Sequence, residues 1–225
     1  MLLCARIYGS MGVQLDQLAQ VFQDPFHFEQ DILTCVLQQE EKLKQQQQHI
    51  RLCLQRTQDI RRALEDVERS RRAPIREKRK RCGAYMLQKQ CGRELLTEDA
   101  VCSEFARWTQ HPEFLFSAGR IGREALVQNR EEFLFGIGVE ERYARMMEVH
   151  ASEYVRYFPP QMCLYTVIET TNKDPLCFGR IRRLLRDLGI DEKSLADDVT
   201  SQTILMTRNN SGYKCFHGIY IPLDD

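Results

Sequence analysis

No two of the nine cysteines stand at CxxC spacing, and nine is an odd number. They occur at Cys4, Cys35, Cys53, Cys82, Cys91, Cys102, Cys163, Cys177 and Cys215. That argues against a disulfide framework and a structural zinc site, and for reduced, mostly buried thiols in a cytoplasm. Charge of one sign is also lacking. Thirty-two Lys and Arg balance thirty-two Asp and Glu, so no global basic field points to nucleic acid, and any basic patch is local. No apolar run is long enough to span a bilayer, and the apolar start runs into an amphipathic pattern with no cleavage site. No Gly-rich phosphate loop, HExxH or GxSxG is present. Gly119-Arg-Ile-Gly122 is too short for a nucleotide fingerprint and fits a turn. His27, His49, His111, His150 and His217 are dispersed, without ligand spacing; His217 reads as a packed histidine. These absences leave a protein that binds rather than catalyses, with no cofactor and no metal.

What is present divides the chain into three textures. Residues 1–24 read as two short helices around Met11-Gly12-Val13, with Leu15, Leu18, Ala19 and Phe22 at helical spacing. Asp24-Pro25 breaks that pattern. Residues 25–74 read as one long helix of about 65–70 Å. From Phe28 to Arg72 there is neither Gly nor Pro. Val36, Leu43, Ile50, Thr57 and Leu64 recur every seventh residue, with Leu33 and Leu54 at the companion position, where Glu40, Gln47 and Arg61 fill the other turns. That is an interrupted coiled-coil seam, and it predicts a homodimer through Val36, Leu43, Ile50 and Leu64. The other reading is a solvated arm with one packed stripe. Pro74 should end the helix. Around it, Arg71, Arg72, Arg76, Lys78, Arg79, Lys80 and Arg81 read as a solvated linker near a helix C-terminus, or as a nucleic-acid arm.

Residues 75–225 change period. Tyr85–Leu87, Phe114–Phe116, Phe133–Phe135, Met162–Ile168 and Thr203–Met206 read as strands. One helix is expected over about Thr97 to Gln110. A second is expected from Asp174-Pro175 to Gly189, with Phe178, Ile181, Leu184, Leu185 and Leu188 as its buried stripe. The order strand-helix-strand-strand occurs twice. Gly136-Ile137-Gly-Val139 in the first unit corresponds to Gly218-Ile219-Tyr-Ile221 in the second. Two such units would leave a crevice at their junction, a common kind of small-molecule site.

Leu2 to Asp24 resembles the last two helices of the DNA-binding domain of MerR-family transcription regulators. The family turn of the form LGxxLxxI is matched by Met11-Gly12-Val13-Gln14-Leu15-Asp16-Gln17-Leu18. The long helix is similar to the family's antiparallel dimerisation helix. Residues 75–225 resemble the GyrI-like effector-binding domain of the multidrug-sensing BmrR type. The resemblance implies an α+β fold: a long coiled-coil helix joined to two strand-helix-strand-strand repeats. It implies a cytoplasmic sensor that binds a hydrophobic effector and dimerises. DNA is implied as a partner only with a winged helix-turn-helix ahead of Met1; without it, the chain is a truncation or a sensor that has lost its reading head. Two alternatives are a stand-alone binding or sequestering protein and a small GyrI-like hydrolase using Tyr165 with Glu169.

For the crevice wall the candidates are Tyr85, Phe116, Phe133, Tyr165, Tyr213 and Tyr220, because aromatic faces stack on apolar and cationic ligands. The resemblance implies an acid on the strand after the second helix. Here that strand has none, and Gln202 is nearest. Glu169 is the alternative acid.

Overall fold

The computed structural model describes residues 2–13, 28–91, 94–171, 178–209 and 212–223. The fold is α+β, a long helix followed by an antiparallel nine-stranded sheet. Two compact units divide at residues 55 and 56, within the long helix.

In the first unit, helix α1 (Leu2–Ser10) is closed by glycine. Gly12 has φ of 87°. The Val13 N–H donates to the Tyr8 carbonyl at 3.1 Å and the Gly12 N–H to the Gly9 carbonyl at 3.0 Å. This pair of bonds satisfies the last carbonyls of the helix and requires a left-handed residue. Gln39 Nε2 donates to the Met11 carbonyl at 3.0 Å and lies 2.6 Å from where a Gly12 Cβ would sit. The second expected short helix, with Leu15, Leu18, Ala19 and Phe22, falls outside the described residues.

Helix α2 (Phe28–Arg72) matches the expected length, and it stops two residues before Pro74. Among the described residues, most of its apolar seam is exposed, and Val36 is half-buried. Leu43 is 48% exposed and Ile50 is 65% exposed, while Leu33, Leu54 and Leu64 are also exposed.

The second unit begins with the final turns of α2. Strands β1 (Glu77–Arg81), β2 (Ala84–Cys91) and β3 (Glu94–Leu95) follow. Next come α3 (Asp99–Trp108), β4 (Leu115–Ile121), α4 (Arg123–Val127), β5 (Leu134–Glu140), α5 (Glu141–Ala144) and β6 (Val155–Phe158). Strand β7 (Gln161–Thr171), α6 (Phe178–Asp187), β8 (Val199–Asn209) and β9 (Gly212–Pro222) complete it. The strand order is β1-β7-β9-β8-β4-β5-β2-β3, with β6 also on β2. The sheet has two halves, β4-β5-β2-β3 with β6 and β1-β7-β9-β8, which join where β4 pairs with β8.

One row of directly paired residues crosses six strands: Gln88, Gly136, Ala118, Gln202, Gly218 and Val167. The two Gly-Ile steps noted in the sequence therefore sit equally far from the central Ala118–Gln202 pair.

The larger core lies between α6 and the sheet. Phe178, Ile181, Leu184 and Leu185 on the helix meet Leu164, Ile168, Val199, Ile219 and Ile221. The helix ends as its sequence predicts. Gly189 has φ of 66°, and the Ile190 N–H donates to the Leu185 carbonyl at 2.9 Å. Leu188, expected in this stripe, is 37% exposed because it lies at the last turn. The expected start at Asp174-Pro175 lies outside the described residues. In the other half α3 packs against β2, and Val101, Trp108 and Phe114 are buried.

One expectation is corrected here. Glu77–Arg81 is no solvated linker but an edge strand, paired with Tyr165 to Gln161 of β7. Its alternation is written in charge. Arg81 is buried and Arg79 half-buried, while Lys78 and Lys80 are exposed. With no apolar period, the strand carries no hydrophobic signal. Among the described cysteines, Cys35, Cys53, Cys82, Cys91, Cys102, Cys163 and Cys215 are free thiols. No described helix is long and apolar enough to cross a membrane.

His217 is held between two threonines, with Thr170 Oγ1 2.9 Å from Nε2 and Thr203 Oγ1 3.2 Å from Nδ1. Burial pushes the imidazole pKa below its ordinary 6.5. The unfolded chain therefore takes up a proton before the folded one does. The stability contributed by neutral His217 is complete above about pH 6.5 and falls as pH drops below it. Urea midpoints at pH 7.5 and 5.5 should differ more for the wild type than for His217→Gln. An equal pH dependence in both would contradict the assignment.

Candidate functional site

The two halves of the sheet meet at β4 and β8, and side chains alternate between its two faces. One face packs under α6. The opposite face, on the side of the last turns of α2, carries Met86, Phe116 and Ala118 from the first half. Tyr165, Thr200, Gln202 and Tyr220 come from the second. Two glycines keep this surface concave. A Cβ on Gly138 would sit 2.4 Å from the Phe116 ring, and one on Gly218 would sit 3.1 Å from the Tyr165 ring. Each aromatic therefore lies flat across a strand that offers no side chain beneath it.

A pocket of about 90 Å³ opens on this face, lined by Arg81, Met86, Phe116, Ala118, Phe158, Gln202 and Tyr220 among others. Beside it lies a cleft of about 680 Å³ between the sheet and residues Arg56 to Arg69 of α2. The two share Lys80, Cys82, Phe116, Glu140, Gln202 and Tyr220.

A polar cluster fixes the floor of the cleft. Asp66, 4% exposed, accepts from Arg79 at 2.6 and 3.3 Å, and Arg69 lies 3.5 Å away. The Arg79 guanidinium stacks 3.8 Å from the centre of the Tyr165 ring, and Tyr165 packs against Tyr220 with centroids 5.0 Å apart. Burial alone would lower the Arg79 pKa, but the hydrogen bonds it donates to Asp66 and Glu77 raise it above the ordinary value. Burial pushes the Tyr165 phenol up, and the Tyr220 phenol up to about 12. Both therefore stay neutral at physiological pH.

Every carboxylate around the cleft is already engaged. Glu140 pairs with Arg142 and lies 3.9 Å from Arg56. Asp59 pairs with Arg142, and Glu65 lies 3.7 Å from Arg61. Against the four lining acids Asp59, Glu65, Asp66 and Glu140 stand six cations: Arg56, Arg62, Arg69, Arg79, Lys80 and Arg142. The lining has an excess of two positive charges.

The candidate wall residues separate into groups. Phe116, Tyr165, Gln202 and Tyr220 all border the cleft. Tyr85 borders the small pocket, but in β2 it alternates with Met86, and its ring lies 4.8 Å from that of Tyr157. Met86, one residue along, takes the inward place. Phe133 is not in the wall. It is 8% exposed within the α6 core, 6.2 Å from Phe135, because it precedes β5 on the helix side. Tyr213 lies towards the far end of the β8–β9 pair, exposed, with Arg208 5.4 Å from its ring. Glu169 is likewise remote. It pairs with Lys214 at 2.9 Å and lines a shallow depression with Arg76 and Arg183. It stands four residues from Tyr165 on β7, about 13 Å along the strand, so the two are not brought together. Two of the acids that do reach the cleft, Asp66 and Glu140, carry no local signal. One lies on a charged helix and the other at a strand end, and only the fold joins them.

No protein-family model matches the chain, and no curated protein sequence matches it.

Proposed function

We propose that the chain is the ligand-sensing and dimerisation part of a MerR-type transcription regulator, with residues 75–225 as a GyrI-like effector-binding domain. The observation that carries this is the concave junction itself. Two halves with matched Gly-Ile steps join at β4 and β8, and an aromatic-walled cleft lies at that join. A cleft of this kind suits a hydrophobic small molecule, bound by burying its apolar faces against Phe116 and Tyr220. The last turns of α2 form its other wall, so an occupant that favours one position of that wall would bias the helix. In an intact regulator that helix would set the spacing of two DNA-reading heads.

The dye N-phenyl-1-naphthylamine, neutral and aromatic, should bind saturably in the low-micromolar range, about 8 kcal/mol. Binding to the folded state alone should raise the melting temperature. No saturable binding by this dye or by a panel of apolar compounds would remove the sensor assignment and leave a partner-binding module.

The exposed seam of α2 supports a dimer with a second copy of this chain, since Leu43 and Ile50 stand in water in the single chain. Light scattering should give a dimer at micromolar concentration for the wild type and a monomer for Ile50→Asp, which places a charge in the seam. A monomeric wild type would rule this seam out.

A further inference from the structure

Arg81 is the buried cation of this site that has no acid. It is 5% exposed and lines the small pocket. Its Nη1 donates to Thr200 Oγ1 and its Nη2 to the Pro159 carbonyl, both at 3.2 Å. The guanidinium stands 5.3 Å from the centre of the Phe158 ring. Its Nε–H is buried without a partner, and among the described residues no carboxylate lies within ion-pair distance of it. Arg79, two residues earlier on the same strand, has Asp66 and Glu77. A buried guanidinium without a counter-charge is costly, and its planar donors suit a carboxylate or sulfonate.

The surroundings point the same way. Met86, Phe116, Ala118 and Phe158 give the pocket an apolar wall, and Lys80, Glu140, Thr200 and Gln202 border it as well, with Glu140 paired to Arg142. The adjoining cleft carries more cations than acids, and all of its acids are paired. A cationic ligand would have to compete with an arginine for each described acid of the cleft. An anionic head beside Arg81 would find an unspent donor and a positive field, while an apolar body extended into the cleft.

We propose that the ligand is an amphipathic organic anion whose carboxylate or sulfonate pairs with Arg81. This rests on the ligand-sensing assignment above and names the chemistry of that same site.

The test is displacement of bound N-phenyl-1-naphthylamine from the full chain by three ten-carbon competitors: decanoate, decanol and decylamine. Decanoate should displace the dye at a concentration at least tenfold below that of decylamine. Arg81→Met should bring the two within about threefold of each other, and Arg81→Lys, which keeps the charge, should preserve the order. If decylamine matches or surpasses decanoate on the wild type, the anion assignment is overturned and the sensor assignment stands. If Arg81→Met leaves the decanoate preference intact, Arg81 is not the anchor and the proposal is likewise overturned. If the dye itself does not bind, the sensor assignment falls and takes this one with it. The wild-type order decides the matter even if Arg81→Met does not fold, a point that circular dichroism settles first.

Discussion

The buried contact of Asp66 with Arg79 ties the long helix to the sheet. Asp66 belongs to the final turns of α2 and Arg79 to the edge strand β1. Through its guanidinium face, Arg79 reaches Tyr165 on β7, and Tyr165 reaches Tyr220 on β9. Three strands and a helix thus share one charge pair. The helix side of this wall has little apolar surface to offer, apart from residues such as Val67, which is fully buried. Arg56, Asp59, Arg69 and Arg71 instead lay polar and cation–π contacts across the sheet. A wall held by ion pairs and stacked guanidinium groups leaves space that a wall of interlocked Leu and Ile would fill, and that space is the cleft.

The same constraint determines the electrostatics of the site. Each acid of the cleft lining has an arginine within ion-pair distance, while Arg81 has no acid within that distance among the described residues. The Arg81 guanidinium borders the smaller pocket beside the cleft. The glycine positions serve the same surface from below. At Gly138 and Gly218 the absent Cβ lets Phe116 and Tyr165 lie across the strand, so aromatic faces stand beside the buried charge.

Much of the fold was legible in the sequence because its signals are local. The stripe of α6, the unbroken helix-forming run of α2, the glycine stops at Gly12 and Gly189 and the paired Gly-Ile steps each depend on nearby residues. The site was less legible, and for definite reasons. Strand β1 alternates buried arginine with exposed lysine, so it imitates a solvated run. Tyr85 and Met86 differ by one residue in a period of two, and one step changes the face of the sheet. Phe133 and Glu169 are of the right residue type but are placed in the core and on the rim by long-range pairing. Asp66 and Arg81 became site residues only through contacts across the chain, Arg81 with Thr200 at a separation of 119 residues.

The central claim is that the Asp66–Arg79 pair holds the end of α2 to the sheet. A double-mutant cycle with Asp66→Ala, Arg79→Ala and the double variant, read by urea unfolding, tests it most directly. Each single change should cost about 3 kcal/mol or more, as expected when one partner of a buried pair is removed, and the coupling energy should be about 2–3 kcal/mol. Single effects that simply add, with a coupling within about 0.5 kcal/mol of zero, would contradict the account.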